Sequence, residues 1–103
     1  MQTPEGLVKK KVRNYLNERG AYFFFPVQTG IGASTVDILC CIDGYFVGIE
    51  CKAEGKKLTP RQTLILRQIR DAGGIAIWGD HFEIIRERLV NDLYNKCMAL
   101  QDD

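Results

Sequence analysis

The chain of 103 residues is 46% hydrophobic and 26% charged, which supplies enough apolar material for one hydrophobic core at a length that does not allow two. This composition excludes a disordered polar chain, and no apolar run approaches the roughly 18 residues that a membrane-spanning helix requires. Fourteen Lys+Arg against thirteen Asp+Glu leave a net charge of +1, so nucleic-acid binding would have to come from local clusters of charge.

Thr3-Pro4-Glu5 combines a capping hydroxyl, a proline suited to the first helical position and a first-turn acid, and so opens a helix that runs to about Arg19. Val8, Val12, Tyr15 and Leu16 recur at helical spacing. Glu5, three residues before Val8, extends that stripe, while Lys9, Lys10, Lys11 and Arg13 mostly fall away from it, and Gly20 supplies the stop. Ala21 to Gln28 is rich in aromatic residues and reads as a strand, with Pro26 placing it at an edge or a bulge. Thr29 to Thr35 is a glycine- and hydroxyl-rich loop, suited either to close approach of a ligand or simply to a turn.

Val36 to Ile42 and Tyr45 to Lys52 are two strand-like runs joined by Asp43-Gly44, the dipeptide of a two-residue type I′ hairpin. After a Gly/Lys loop from Ala53 to Leu58, Thr59-Pro60 opens a second helix with Ile65, Leu66, Ile69 and Ala72 on its apolar face, and Gly73-Gly74 ends it. Ile75 to Trp78 forms a short strand. A last helix from about Phe82 carries Ile85, Leu89, Leu93, Cys97 and Leu100 on one face. The predicted order is αβββαβα over residues 1–103, a single small α/β domain with a mixed sheet flanked by helices.

Four cysteines offer neither a disulfide framework nor a zinc site, because Cys40 and Cys41 are adjacent, Cys51 and Cys97 are isolated, no C-x-x-C occurs and His81 is the only histidine. Free thiols with no recognisable signal segment point to a reducing, intracellular location, cytoplasmic if the source is bacterial or a virus of bacteria.

The hairpin carries the chemistry. With Asp43 and Gly44 as the turn, Ile42 faces Tyr45, and counting outward Asp37 faces Glu50. Directly opposed residues hold their Cβ atoms about 4.5–5.5 Å apart, and like charges there are destabilising unless compensated. A divalent cation is the natural compensator. Lys52 returns to the face of both acids because the strand period is two. The rest of that face is Leu39, Cys41, Phe46 and Gly48, against an apolar opposite face of Val36, Ile38, Cys40, Ile42, Tyr45, Val47, Ile49 and Cys51. Hard carboxylate oxygens suit Mg²⁺ or Mn²⁺, and an ion held this way keeps positions for a phosphate oxygen and a water. Lys52 then either orients that water or stabilises the charge developing on phosphorus. The plain alternative is a surface salt bridge from Lys52 to Glu50 or Asp37, worth at most about 1 kcal/mol. E-x-K spacing alone arises by chance in about one 100-residue chain in three. Glu54-Gly55-Lys56 is such a case, a solvated loop triplet with no opposed acid.

In these residues the chain resembles the PD-(D/E)xK nuclease superfamily, which has a restriction-endonuclease-like αβββαβ core with one acid on a hairpin strand and (D/E)-x-K on the next. More narrowly, Glu5, the glycine loop, Val36-Asp37, Gly48-Ile49-Glu50-Cys51-Lys52 and Leu58-Thr59-Pro60-Arg61-Gln62 resemble the virus-type replication-repair nuclease (VRR-NUC) domain over nearly the whole chain. Val36 stands where that family usually has proline. The resemblance implies that Asp37, Glu50 and the backbone carbonyl of Cys51 ligate the metal, that Lys52 is the catalytic lysine, and that Glu5 and Gln62 complete the site. Glu5 is also readable as a first-turn acid favoured by the helix dipole. Gln62 is equally readable as the closing residue of a T-x-x-Q capping box.

Lys9, Lys10 and Arg13, with Lys56, Lys57 and Arg61, form two basic clusters that suit a phosphate backbone or are ordinary solvated surface. No base-reading motif is present, so DNA shape is the expected determinant. The reading is a Mg²⁺- or Mn²⁺-dependent DNA endonuclease selective for branched DNA such as the Holliday junction, working as a homodimer because two strands of a junction require two sites. The alternative is a catalytically silent or partner-dependent nucleic-acid-binding module.

Overall fold

The computed structural model describes residues 2–28 and 34–101. Its elements are α1 (Pro4–Glu18), β1 (Tyr22–Phe24), β2 (Ile38–Ile42), β3 (Tyr45–Cys51), α2 (Pro60–Asp71), β4 (Ile75–Gly79) and α3 (Phe82–Gln101), the αβββαβα order expected from the sequence. The four strands form one mixed sheet in the order β1-β2-β3-β4, antiparallel except for the β3–β4 pair, whose parallel crossover is made by α2. No helix among the described residues is long and apolar enough to cross a membrane.

Helix α1 begins where Thr3 accepts a hydrogen bond from the Gly6 amide (3.0 Å), with Pro4 in the first turn. Val12 and Leu16 bury its inner face, each completely buried apolar side chain of this size being worth about 1.5–3 kcal/mol. At its far end Arg19 ties the helix to the hairpin turn through Asp43 at 2.8 Å. The turn residues Asp43 (φ 54°) and Gly44 (φ 86°) both have the positive φ that a type I′ turn demands.

The hairpin register follows from that turn: Ile42 pairs with Tyr45 and Ile38 with Ile49. One face of the sheet, through Ile38, Cys40, Ile42, Val47, Ile49, Cys51, Ile75 and Ile77, packs on α1 and α3. The other face packs on α2, where Val36, Leu66 and Ala76 form a second small core with Leu39, Leu58, Ile65, Ile69 and Trp78 against it. Gly48 lets α2 approach, since a Cβ there would lie 2.6 Å from Ile69 Cδ1.

Three strand boundaries and the burial of one helix end depart from expectation. The first strand is only three residues long, because the chain leaves the sheet before Pro26. Strand β2 starts at Ile38 and not Val36, and Asp37 lies in a bend. The alternation therefore breaks, and Val36 joins the α2 core instead of the face shared by Ile38 and Cys40. Strand β3 stops at Cys51, one residue before Lys52. Helix α3 outruns the sheet, so Cys97 and Leu100 are exposed although they continue its apolar stripe. The central part of the glycine loop, residues 29–33, lies outside the described residues.

Candidate active site

The hairpin ends in an acid pair. The ladder between β2 and β3 closes at Ile38–Ile49, and the same register carries Asp37 opposite Glu50. Asp37 leaves the strand just there, and its Oδ2 accepts the Cys51 amide at 2.9 Å, replacing the backbone partner that Val36 would otherwise provide. In a strand the N–H and C=O of one residue face the same neighbour, so the Cys51 carbonyl is directed to the Asp37 side as well. Its thiol points the other way, into the α1–α3 core, and burial pushes that thiol's pKa well up.

Glu50 is 4% exposed, the one charged residue in the buried set of the described residues. Its Oε1 accepts a hydrogen bond from Gln62 Nε2 at 3.1 Å. Its Oε2 is buried with no hydrogen-bond partner among the described residues. Burial, then the charge of neighbouring Asp37, pushes the Glu50 carboxyl up to about 8, against a weaker opposing pull from Lys52. A buried oxygen with no partner is costly unless a proton or a cation satisfies it.

Gln62 closes the capping box and also contacts Glu50. Its backbone N–H donates to Thr59 Oγ1 (3.1 Å) and its Oε1 accepts from the Thr59 N–H (3.0 Å), completing the capping box. The remaining amide hydrogens reach Glu50. Thus the N-terminus of α2 fixes the orientation of the buried acid.

Lys52 sits immediately beyond β3, its amide donating to the Gly79 carbonyl at 2.9 Å. It is partly exposed and makes no ion pair among the described residues. Glu5 is partly exposed and lies one helical turn before Lys9, whose ammonium is 3.6 Å from Glu5 Oε2 and 3.5 Å from Asp37 Oδ1. Among the described residues no group of three acid, histidine or cysteine side chains is placed to hold a metal ion, and Lys9 bridges Glu5 and Asp37.

The basic clusters divide. Lys10, Arg13, Lys56 and Lys57 are exposed. Lys9 turns inward to Asp37, a placement that sequence reading missed, since its i,i+4 spacing from Glu5 signals only the contact along the helix. Arg61, on the first turn of α2, donates from Nε to Ser34 Oγ at 2.6 Å and so ties the C-terminal end of the glycine loop to the helix. Gln28 holds both chain directions there, accepting from the Thr35 N–H at 3.3 Å and donating to the Val36 carbonyl at 3.4 Å. The loop triplet Glu54-Gly55-Lys56 stays in solvent, with Glu54 beside His81 at 3.4 Å.

The donors available to a metal are two carboxylates on one edge of the hairpin and a backbone carbonyl, a hard oxygen set that suits Mg²⁺ or Mn²⁺. The partnerless buried Glu50 Oε2 marks where such an ion fits.

No protein-family model matches this sequence, and no curated protein matches it. A solved structure of a VRR_NUC domain does match in three dimensions, with a TM-score of 0.72 at 20% identity over 84% of this chain and 95% of that one. The chain therefore has the fold of a VRR_NUC domain, with the three helices and four-stranded mixed sheet already described.

Proposed function

We propose that the protein is a metal-dependent DNA endonuclease that hydrolyses phosphodiester bonds in branched DNA. The observation that carries this reading is the buried Glu50 carboxylate, opposed by Asp37 and left with one oxygen unpartnered. A buried acid facing another acid serves no surface salt bridge, whereas a divalent cation would compensate both charges at once. The fold shared with a VRR_NUC domain supports the same reading.

Asp37, Glu50 and the Cys51 carbonyl would hold the ion. The chemistry such a cation would supply there is neutralisation of charge at a phosphate and acidification of a bound water. Gln62 keeps Glu50 in one orientation through the 3.1 Å bond. The Cys51 amide does the same for Asp37. Lys52, just beyond β3 and without an ion pair among the described residues, would present its ammonium to the phosphoryl oxygens or to the attacking water. Lys10 and Arg13 on α1, with Lys56 and Lys57 in the loop after β3, supply exposed positive charge for the flanking backbone. Such contacts read shape and spacing, which favours selection of a branch over a base sequence.

Calorimetric titration with Mg²⁺ and Mn²⁺ tests the metal site: Asp37→Asn and Glu50→Gln should each abolish binding, and unchanged affinity in both removes the proposal. Comparing labelled four-way junction, flap and linear duplex DNA then ranks the substrates, and equal cutting of all three contradicts selectivity for branches. Sedimentation with and without junction DNA tests the homodimer, which a purely monomeric species contradicts.

A further inference from the structure

Lys9 occupies an unexpected position for a lysine on a helix with three consecutive lysines. Its neighbours Lys10 and Lys11 are exposed, but Lys9 is drawn in, with its ammonium 3.5 Å from Asp37 Oδ1 and 3.6 Å from Glu5 Oε2. Asp37 is thereby engaged at both oxygens, Oδ2 by the Cys51 amide and Oδ1 by Lys9. The side chains of Lys9 and Asp37 are 30% and 15% exposed, so the pair is partly removed from solvent and less screened than a surface bridge.

We propose that Lys9 is a built-in counter-ion for the acid pair, a tethered cation that holds Asp37 Oδ1 in the metal-free protein and gives way to a divalent ion, falling back on Glu5. The inference rests on the metal-site reading given above. Three observations lead to it. Two acids facing each other need positive charge nearby to stay in place, and Lys9 is the cation that touches Asp37 among the described residues. An ammonium at that oxygen competes with an arriving metal for the same lone pairs and also repels it. Glu5, at i−4 on the same helix, offers the displaced ammonium a partner without moving the backbone. Glu5 and Lys9 thus act together as a positioning pair that sets how tightly the site takes its ion. Neither needs to touch substrate for this.

The experiment measures Mg²⁺ and Mn²⁺ affinity by calorimetry on wild type, Lys9→Met, Lys9→Arg and Glu50→Gln, and records the melting temperature of each with and without metal. Methionine keeps the unbranched stem and removes the charge. Lys9→Met should bind the metal about three- to tenfold more tightly, the range expected for loss of one competing, partly screened ion pair. Its metal-free form should melt lower than wild type, and metal should raise its melting temperature by more. Lys9→Arg keeps the charge and should restore wild-type affinity. Wild-type binding that is lost in Glu50→Gln but unchanged or weaker in Lys9→Met overturns this inference and leaves the metal site standing. No binding by wild type overturns both. Tighter binding in both Lys9 variants also overturns it, because the effect then comes from packing and not from charge.

Discussion

Gln62 donates a hydrogen bond to Glu50 Oε1 at 3.1 Å while its other amide atom and its backbone N–H close the capping box on Thr59. One side chain thus starts helix α2 and fixes the orientation of the buried acid at the head of the site. The two duties are separable by mutation. Thr59→Ala removes the cap alone and should destabilise the fold by about 1 kcal/mol, with turnover intact. Gln62→Ala should cost a similar or somewhat larger amount and also lower turnover. Denaturant titration alongside a cleavage assay checks both, and equal loss of turnover in the two variants contradicts a direct role for Gln62 at Glu50.

The acid pair makes metal-free stability depend on pH. Burial and the charge of Asp37 raise the Glu50 carboxyl from its ordinary 4.5 to about 8, so the folded state holds this proton more tightly than the unfolded one. The stabilisation is present at low pH and is lost as pH rises through that window. Melting temperature without metal should therefore fall between about pH 5 and pH 8, over and above the trend seen in Glu50→Gln. Saturating Mg²⁺ should flatten the fall, since the cation takes the place of the proton, and metal binding near pH 7 should release protons. Calorimetry in buffers of different ionisation enthalpy measures that release. A metal-free melting curve with the same pH dependence in wild type and Glu50→Gln contradicts the assignment.

Lys52→Ala should bind metal like the wild type and lose turnover by about 10²- to 10⁴-fold, the range of a single positioned catalytic group. Normal turnover in this variant would exclude Lys52 from the chemistry. Lost metal binding would show that it acts on the acids and not on the substrate.

Gly48 tests how closely α2 must approach the sheet. An added methyl group would lie 2.6 Å from Ile69 Cδ1 and 3.2 Å from Val36 Cγ2, so Gly48→Ala should cost about 1–3 kcal/mol. Ile69→Val removes the clashing Cδ1. The double variant should therefore be more stable than the sum of the two single effects, a favourable coupling that a double-mutant cycle measures. Simple additivity would mean that the helix moves as a whole.

Features set by local chemistry were legible in the sequence. Asp43-Gly44 dictates the hairpin turn, the turn dictates the register, and the register ends at Ile38–Ile49, with Asp37 and Glu50 the next residue on each side. Thr3-Pro4 and Thr59-Pro60 mark two helix starts that the structure contains. What was not legible depends on where elements meet. Lys9 looks like one of three solvated lysines until α1 is laid beside the end of β2, where Asp37 draws it in. Val36 changes faces, because Asp37 turns out of the strand to take the Cys51 amide. Cys97 and Leu100 continue a helical stripe, but the sheet beneath α3 has already ended. The choice of Gln62 between cap and site also dissolves in three dimensions, since a carboxamide has a separate acceptor and donor for each.

In the proposed function a metal ion held at Glu50 and Asp37 drives phosphodiester hydrolysis. The most direct measurement is cleavage of a labelled four-way junction by wild type and Glu50→Gln at equal concentration, with Mg²⁺, Mn²⁺ or EDTA. Wild type should cut with either metal and not in EDTA, and the variant should lose at least about 10³-fold in rate. Cutting that persists in EDTA or in Glu50→Gln, or no cutting by wild type while the junction remains bound, would contradict the proposed function.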